Sequence, residues 1–459
     1  MRPRWGPIRH VHFVGIGGVG MCALAEVLLD DGLAVSGCDS AESERTRRLA
    51  ARGAVVALGH DPRHVAEAEA LVVSAAVPVN HPELEAARSA GIPIVRRAEL
   101  LAEVVRGYTS VAVAGTHGKT TTAALLTHIL HKVGASPTSV VGGRVSVFDA
   151  YGRRGRGSTA VCEADEFDRA FLELEPIVAI ITNVESDHLD YYGSDNELRS
   201  AFQIFAAKPP FHGSVLLCGD DPGASALAGS TRASFVTYGL GAANELRAVD
   251  LSPENATTSF TVLKGKRRLG CVRLPLAGEH NVQNALGALG AGLQLGFEFA
   301  DLAEAFTDFK GVDRRFELLG SRRGVTVMDD YAHHPTEIEA TLAAARQNFP
   351  ERPLTVVFQP HLFSRTRDLW DDFGRVLSRV EHLVVLPIFA AREEPISGIN
   401  HRMVMSSAVA HGCGDVVESG SVEETSSLID GLLEPGAVLL TLGAGDVDRV
   451  GKIWLEESA

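Results

Sequence analysis

The sequence predicts an α/β chain in three domains, each built on a largely parallel sheet. Three observations carry this: an apolar strand running into a glycine turn near the start, a second strand running into Gly-Lys-Thr at 118–120, and repeated strand, polar turn and helix after residue 314. The length of 459 residues agrees, because single hydrophobic cores stop growing with chain length and longer chains split. The expected domains are 1–106, 107–313 and 314–459.

In the first domain, Val11 to Val14 reads as a strand, Gly15-Ile16-Gly17-Gly18-Val19-Gly20 as a turn, and Met21 to Leu29 as a helix. Leu33 to Cys38 is a second strand, ending in Asp39. A glycine turn opening a helix, with an acidic residue about 20 positions on, is the fingerprint of a Rossmann-like dinucleotide fold. There the carboxylate takes a ribose hydroxyl and the helix N-terminus takes a pyrophosphate. Gly17, Gly18, Gly20 and Asp39 are the candidate contacts. The fingerprint does not say which nucleotide binds. Strand Ala70 to Val73 and a Pro-bounded segment to Val95 complete the unit near Arg106.

The second domain opens on Val111 to Ala114, then Gly115-Thr116-His117-Gly118-Lys119-Thr120-Thr121 and the helical spacing of Leu125, Leu126, Ile129 and Leu130. This predicts a P-loop ATPase-like parallel sheet. Glycines let backbone N–H groups close on phosphate, the lysine serves the β/γ oxygens, and the Thr120 hydroxyl serves magnesium. Only Thr116 and His117 separate the glycines, where the common loop has four residues. The Gly- and Arg-rich stretch 153–157 is expected to be a solvated linker. Strand Thr159 to Cys162 delivers Glu163-Ala164-Asp165-Glu166-Phe167-Asp168, and strand Ile177 to Ile181 delivers Thr182-Asn183-Val184-Glu185-Ser186-Asp187-His188. Both clusters follow strand C-termini, where open α/β sheets place ligands. The acidic run suits magnesium held by oxygen, with His188 as nitrogen ligand or orienter, although Asp165 and Asp168 could equally be turn formers. No His or Cys set stands at zinc spacing, so zinc is disfavoured.

The third domain follows Asp313-Arg314-Arg315-Phe316. Strand Val325 to Met328 leads into Asp329-Asp330-Tyr331-Ala332-His333-His334-Pro335, with the proline at a helix start. Strand Leu354 to Phe358 precedes Gln359-Pro360-His361-Leu362-Phe363-Ser364-Arg365-Thr366-Arg367; strands Leu383 to Leu386 and Val438 to Leu442 come later. The pattern predicts another Rossmann-like sheet.

Composition narrows the chemistry. A net charge of -15 argues against nucleic-acid partners. No apolar run approaches the roughly 20 residues of a membrane helix, and the opening Met-Arg-Pro-Arg-Trp-Gly lacks a signal-peptide core, so a cytoplasmic chain with no membrane partner is expected. The six scattered cysteines read as reduced, buried thiols. Together the glycine turns, acidic cluster and His- and Arg-rich third domain suggest two substrates meeting ATP. Lys119, Thr120, Glu166, His188 and one of Arg314 or Arg315 would position and neutralise phosphate, which leaves kinase, ATPase and ligase open. A nicotinamide-dependent dehydrogenase would explain Gly15 to Gly20 with Asp39 but leave Gly-Lys-Thr without work.

Gly-Thr-His-Gly-Lys-Thr-Thr, Glu-Ala-Asp-Glu, Thr-Asn-Val-Glu-Ser-Asp-His, Gly-Glu-His-Asn-Val-Gln-Asn and Asp-Asp-Tyr-Ala-His-His-Pro-Thr-Glu together resemble the ATP-dependent Mur ligases of peptidoglycan synthesis. The N-terminal glycine motif and Phe-Gln-Pro-His-x-Phe-Ser-Arg-Thr-Arg are most similar to the branch that joins L-alanine to UDP-N-acetylmuramate. The resemblance implies an N-terminal domain for UDP, a central ATPase, and a C-terminal domain that brings the amino acid. It implies ATP and Mg2+ as cofactors and acyl-phosphate chemistry, in a monomer or homodimer. By the same resemblance, Gly17, Gly18, Gly20 and Asp39 would hold UDP, and Lys119 would bridge the β/γ-phosphates. Thr120 and Glu166 would bind one magnesium and His188 a second. Asn281 and Asn284 would read adenine, unless they are helix-start caps. Arg315 would reach the γ-phosphate and Asp330 the ATP ribose. Asn183, Tyr331, His333, His361 and Arg365 would line the substrate side. His334 could simply pack. Two departures stand out. Leu362 occupies a position where many alanine ligases carry Arg, leaving alanine capture to Arg365 or Arg367. The 201–205 stretch holds no lysine, so no carbamate is expected.

Overall fold

The computed structural model describes residues 4–187, 189–254, 256–391 and 393–456. Runs of Val, Ile, Leu and Ala form strands buried on both faces, as parallel sheets covered by helices demand. Val178–Ile181, Ser214–Cys218, Leu354–Phe358 and Val438–Leu442 are buried at every residue.

Among the described residues, three sheets result. The N-terminal sheet has the order Val55–Leu58, Ala34–Asp39, His10–Val14, Ala70–Val73, Ile94–Arg96, parallel throughout. Its strand order reverses at His10–Val14, whose C-terminal end releases the glycine turn into helix Val19–Asp30. The central sheet has ten strands, with Thr109–Ala114 between Val178–Ile181 and Thr159–Glu163 and parallel to both. Those three strand ends carry the phosphate-type loop and the two polar clusters. The third sheet has the order Glu317–Arg322, Val325–Asp330, Val438–Leu442, Leu354–Phe358, His382–Val385, Val416–Glu418, antiparallel only at its first pair.

The chain forms two compact units, one of Met1–Ser252, Ser259–Pro275 and Asn281–Lys310, the other of Pro253–Thr258, Leu276–His280 and Gly311–Ala459. The first unit holds the N-terminal sheet and most of the central one. Phe171, Phe202 and Phe205 cluster in its core, with Phe171 stacked on Phe205 at 5.0 Å between ring centroids. In the second unit, separate apolar clusters cover the two faces of the sheet, one around Phe358 and Phe373, the other around Val357 and Trp454.

Within the first unit, a buried carboxylate joins the two sheets. Glu26 on helix Val19–Asp30 accepts from Arg48 Nε at 2.8 Å and from the Tyr151 and Gly152 amides at 2.9 and 2.8 Å, and lies 3.0 Å from Arg52 Nη1. Gly152 is required there, since an added Cβ would stand 1.8 Å from the Ala23 carbonyl oxygen. The 153–157 stretch departs from the expected solvated linker. Arg154 Nε sits 2.8 Å from Asp31, and Thr138 Oγ1 receives Arg154 Nη1 and the Gly155 amide at 3.0 and 3.1 Å. Its glycines allow the backbone to dock, because a Cβ at Gly155 or Gly157 would lie 2.1 or 1.9 Å from the neighbouring segment's carbonyls.

Removing the buried carboxylate leaves the Tyr151 and Gly152 amides without their acceptor, while Arg48 and Arg52 keep Asp149 and Asp30. Glu26→Ala is expected to lower unfolding free energy by about 1–3 kcal/mol, the cost of buried donors left unpaired. Urea unfolding checks this, and a loss under about 1 kcal/mol would show that the clasp carries little of the unit's stability.

Candidate active site

The loop after Thr109–Ala114 is shaped by two glycines that no other residue could replace without movement. Gly115 has φ +135°, and an added Cβ would sit 2.0 Å from Thr182 Oγ1. Gly118, at φ +78°, caps helix Lys119–Lys132 and has Asn284 Oδ1 2.5 Å from where a Cβ would stand. Neighbouring strand ends hold the loop from outside. Thr182 Oγ1 donates to the His117 carbonyl at 2.5 Å, while Asn183 accepts from the His117 amide at 2.7 Å and donates to its carbonyl at 3.2 Å. Asn183, expected on the substrate side, thus has its side chain committed to the loop backbone. Thr116 Oγ1 accepts from the Glu185 amide at 2.9 Å. Thr121 is buried in the helix's first turn.

Lys119 Nζ curls back over the loop, donating to the Gly115 and Thr116 carbonyls at 2.6 and 3.1 Å and lying 2.7 Å from Glu166 Oε2. Thr120 Oγ1 lies 3.0 and 3.2 Å from the two oxygens of Glu163, which also accepts from the Gly142 amide at 2.8 Å. The carboxylate beside the threonine is therefore Glu163, with Glu166 beside the lysine. Glu163 is the last residue of its strand and pairs in register with Val113. That position, first in the acidic run and at the strand end, was the signal available in the sequence.

Asp165 does form a turn, accepting from the Phe167 amide at 3.1 Å, and it also lies 3.0 Å from Arg97 Nη2. Asp168 adopts φ +52°. Burial works against the Lys119 ammonium, but Glu166, Asp165 and Glu163 together raise its pKa. Burial pushes Glu166 up to about 7 despite the lysine, with Asp165 adding to the rise. The lysine is raised by the carboxylates around it, whereas Glu166 is raised first by burial and then by its acidic neighbour.

Asn284 accepts from Thr122 Oγ1 at 3.2 Å and donates to Asn281 Oδ1 at 3.3 Å. Both asparagines lie inside helix Glu279–Gln294 and are not its caps. At the N-terminal turn, Asp39 accepts from the Gly17 amide at 2.8 Å, and Arg45 donates to the Gly17 carbonyl. Gly18 is the cap residue of its helix. A Cβ at Gly20 would meet Arg97 Nη1 at 2.8 Å, so Arg97 stands between this turn and Asp165. Arg45 and Arg97 were not read from sequence; Arg97 directly follows strand Ile94–Arg96, a ligand-bearing position in such sheets.

In the second unit, Arg314 braces the fold, donating to Asp329 at 3.0 Å and to the Gly445 and Gly443 carbonyls at 2.9 and 2.7 Å. Arg314 and Arg315 both lie against Tyr331, each guanidinium 5.1 Å from the ring centroid. Of the two, Arg315 is the one outside that brace. Tyr331, His333 and His361 form a chain of edge-on rings at 5.3 and 5.9 Å, and Arg365 Nη1 lies 3.3 Å from His361 Nδ1. Asp330 accepts from the Phe316 and Ala332 amides at 2.7 and 2.8 Å; burial lifts its pKa to about 7 against the pull of Arg315. His334 caps helix Pro335–Asn348 through a capping box with Glu337. Leu362 is buried at φ +72° as the cap residue of helix Phe363–Leu377, and Arg367 pairs with Asp368 at 2.7 Å. His188 lies outside the described residues.

A glycine loop feeding a buried lysine and a threonine into a helix N-terminus on a parallel sheet defines a nucleotide-phosphate-binding α/β protein. Profiles of the Mur ligase family match along the chain: the catalytic domain over residues 10–109, the middle domain over 113–292, and the glutamate ligase domain over 314–445. The UDP-N-acetylmuramate–L-alanine ligase of Nitratidesulfovibrio vulgaris is 46% identical over 98% of both chains. That of Syntrophotalea carbinolica is 43% identical over 99% of both. The crystal structure of UDP-N-acetylmuramate-alanine ligase from Thermotoga maritima superposes with a TM-score of 0.85 at 30% identity, covering 97% of this chain and 98% of that one. A murein peptide ligase from Psychrobacter arcticus shares the fold, with a TM-score of 0.75 at 24% identity and 98% coverage of both chains. The chain belongs to the Mur ligase family.

Glu166 binds its proton more tightly when folded, at about 7 against the ordinary 4.5. As pH rises through that window the unfolded chain loses the proton first, so the ligand-free protein loses stability with rising pH. Glu166→Gln removes this contribution. Thermal melting of both proteins across the window checks it: the wild type is expected to lose more, and parallel curves would show that Glu166 ionises freely in the fold.

Proposed function

We propose that this chain joins L-alanine to the lactyl carboxylate of UDP-N-acetylmuramate at the expense of ATP, releasing ADP and phosphate. The observation that carries the reading is the cradle in which Lys119 and Thr120, adjacent on one helix turn, face Glu166 and Glu163 under a glycine loop. The full-length likeness to UDP-N-acetylmuramate–L-alanine ligases supports the choice of substrates.

A carboxylate is a poor acyl donor until one oxygen becomes a leaving group. Its oxygen takes the γ-phosphoryl group and ADP departs. The alanine amine then adds to the acyl carbon, the C–O bond to phosphate breaks, and the nitrogen gives up a proton to solvent. The protein's part is positioning and charge neutralisation. Lys119 exchanges its loop carbonyls for phosphate oxygens, and the loop amides close on the same group. Thr120 and Glu163 offer a hydroxyl and a carboxylate, hard oxygen donors that fit Mg2+, with Glu166 adjacent. Bound there, Mg2+ supplies positive charge to the phosphates. His188 is the proposed holder of a second ion. Gly17, Gly18, Gly20 and Asp39 take the UDP portion, with Arg45 and Arg97 beside them. Asn281 and Asn284 face adenine. In residues 314–459, Arg315 serves the γ-phosphate, Asp330 the ribose, and Tyr331, His333, His361 and Arg365 the alanine and acyl-phosphate side. The domains 1–106, 107–313 and 314–459 divide these roles as UDP, ATP and amino acid.

With 18O in the lactyl carboxylate, the released phosphate is expected to carry one labelled oxygen; unlabelled phosphate would overturn acyl-phosphate formation. Phosphate release with L-alanine, glycine, L-serine and an alanine-led tripeptide should favour L-alanine. Lys119→Ala is expected to lose at least about 100-fold in kcat, as positioned charge on a transferring phosphoryl is commonly worth. Glu163→Gln should raise the Mg2+ concentration needed for half-maximal rate while leaving the KM for alanine near wild type. An unchanged Mg2+ dependence would remove Glu163 from the metal.

A further inference from the structure

Four side chains remote in sequence converge inside the N-terminal sheet, away from the Lys119 cradle. His12 comes from strand His10–Val14, Cys38 from strand Ala34–Asp39, His64 from the turn Pro62–Val65, and Glu83 from helix Pro82–Ala90. One ligand atom from each lies within 4.8 Å of the others. Glu83 is the hub: its carboxylate is 3.1 Å from His12 Nε2, 3.0 Å from Cys38 Sγ and 2.9 Å from His64 Nδ1. We propose that His12, Cys38, His64 and Glu83 form a site for a zinc-class divalent transition-metal ion.

The donor set is the argument. Two imidazoles, a sulfur and a carboxylate are the ligands that tetrahedral zinc takes, and a sulfur excludes magnesium and calcium. Zinc bonds of about 2.0–2.3 Å put tetrahedral ligand atoms about 3.3–3.6 Å apart, so the four atoms need move by only about an ångström. The surroundings already orient the ligands. His12 Nδ1 lies 2.8 Å from Ser36 Oγ, which leaves Nε2 pointing at the cluster. His60 Nδ1 lies 3.1 Å from Cys38 Sγ, placed to donate to a metal-bound thiolate. His12 and Glu83 are buried, while the His64 side chain is 25% exposed and opens a route for entry.

On binding, the Cys38 proton leaves to solvent and the sulfur bonds to the metal as thiolate; no oxidation is involved. Four protein ligands leave no open position, which makes the site structural. It stiffens the glycine turn, since the Cys38 carbonyl accepts from the Gly15 and Ile16 amides at 2.9 and 3.0 Å and the adjacent Asp39 holds the Gly17 amide.

The test uses the full chain stripped with a chelator, and its readouts do not involve turnover, so it stands apart from the ligase reading. Competition against a chromogenic chelator should show one equivalent of zinc bound at submicromolar Kd. Cobalt should give a tetrahedral visible spectrum with a thiolate-to-metal charge-transfer band. Cys38→Ser is expected to abolish that band, and His64→Gln, at the partly exposed ligand, to weaken zinc at least about tenfold while keeping it. Absence of stoichiometric binding, an octahedral cobalt spectrum, or binding unaffected by either substitution would overturn the proposal. If Cys38→Ser does not fold, His64→Gln and the wild-type cobalt spectrum decide alone.

Discussion

The central site is organised around a charge imbalance: one buried ammonium faces three carboxylates. Lys119 alone cannot neutralise Glu163, Asp165 and Glu166, and burial denies Glu166 water, so it holds a proton up to about pH 7. The fold tolerates this because each carboxylate has another partner. Glu163 has Thr120 and the Gly142 amide, Asp165 has Arg97, and Glu166 has the lysine. What remains is a demand for positive charge beside the glycine loop. The same lysine is held in place over the loop by the Gly115 and Thr116 carbonyls.

Rigidity around that site comes from the neighbouring strand ends. Thr182 and Asn183 fix the His117 peptide, Asn284 abuts Gly118, and Arg97 ties the N-terminal glycine turn to the acidic cluster. The Glu26 clasp holds the two sheets of this unit in one arrangement, which gives the Gly20–Arg97–Asp165 contact a fixed geometry. In the second unit the division between Arg314 and Arg315 follows the same logic. Both guanidiniums lie against the Tyr331 ring, but that of Arg314 is also consumed by Asp329 and the backbone of its own fold, a brace that does not include Arg315.

The strands were legible because β-branched and apolar runs between polar turns depend only on local pattern. Ala70–Val73, Leu354–Phe358 and Val438–Leu442 have the expected limits, and the others differ by two residues or fewer at an end. Other strands escaped, among them Ser214–Cys218, although it is apolar and buried throughout, and the three between Leu246 and Leu274, which carry no motif and whose burial is mixed. The site was legible as a set of segments, with less clarity about which atom meets which. Glu163 and Glu166 stand three residues apart on a bending chain, and only the path of that bend decides which one meets Thr120. Asn183 looked like a ligand contact because its motif lies at a strand end, yet a side-chain amide can hold a peptide equally well.

Local sequence determined the α/β class, the positions of the glycine turns, and the residue types available for phosphate and cation, because backbone conformation and hydrophobic period are short-range properties. Tertiary structure decided the partners. The docking of 153–157, the separate duties of the paired arginines, and the meeting of His12, Cys38, His64 and Glu83 all join residues that share no spacing rule. The physical reason is that sheet order and helix packing set distances between strand ends, and those distances have no signature in the separation of residues along the chain.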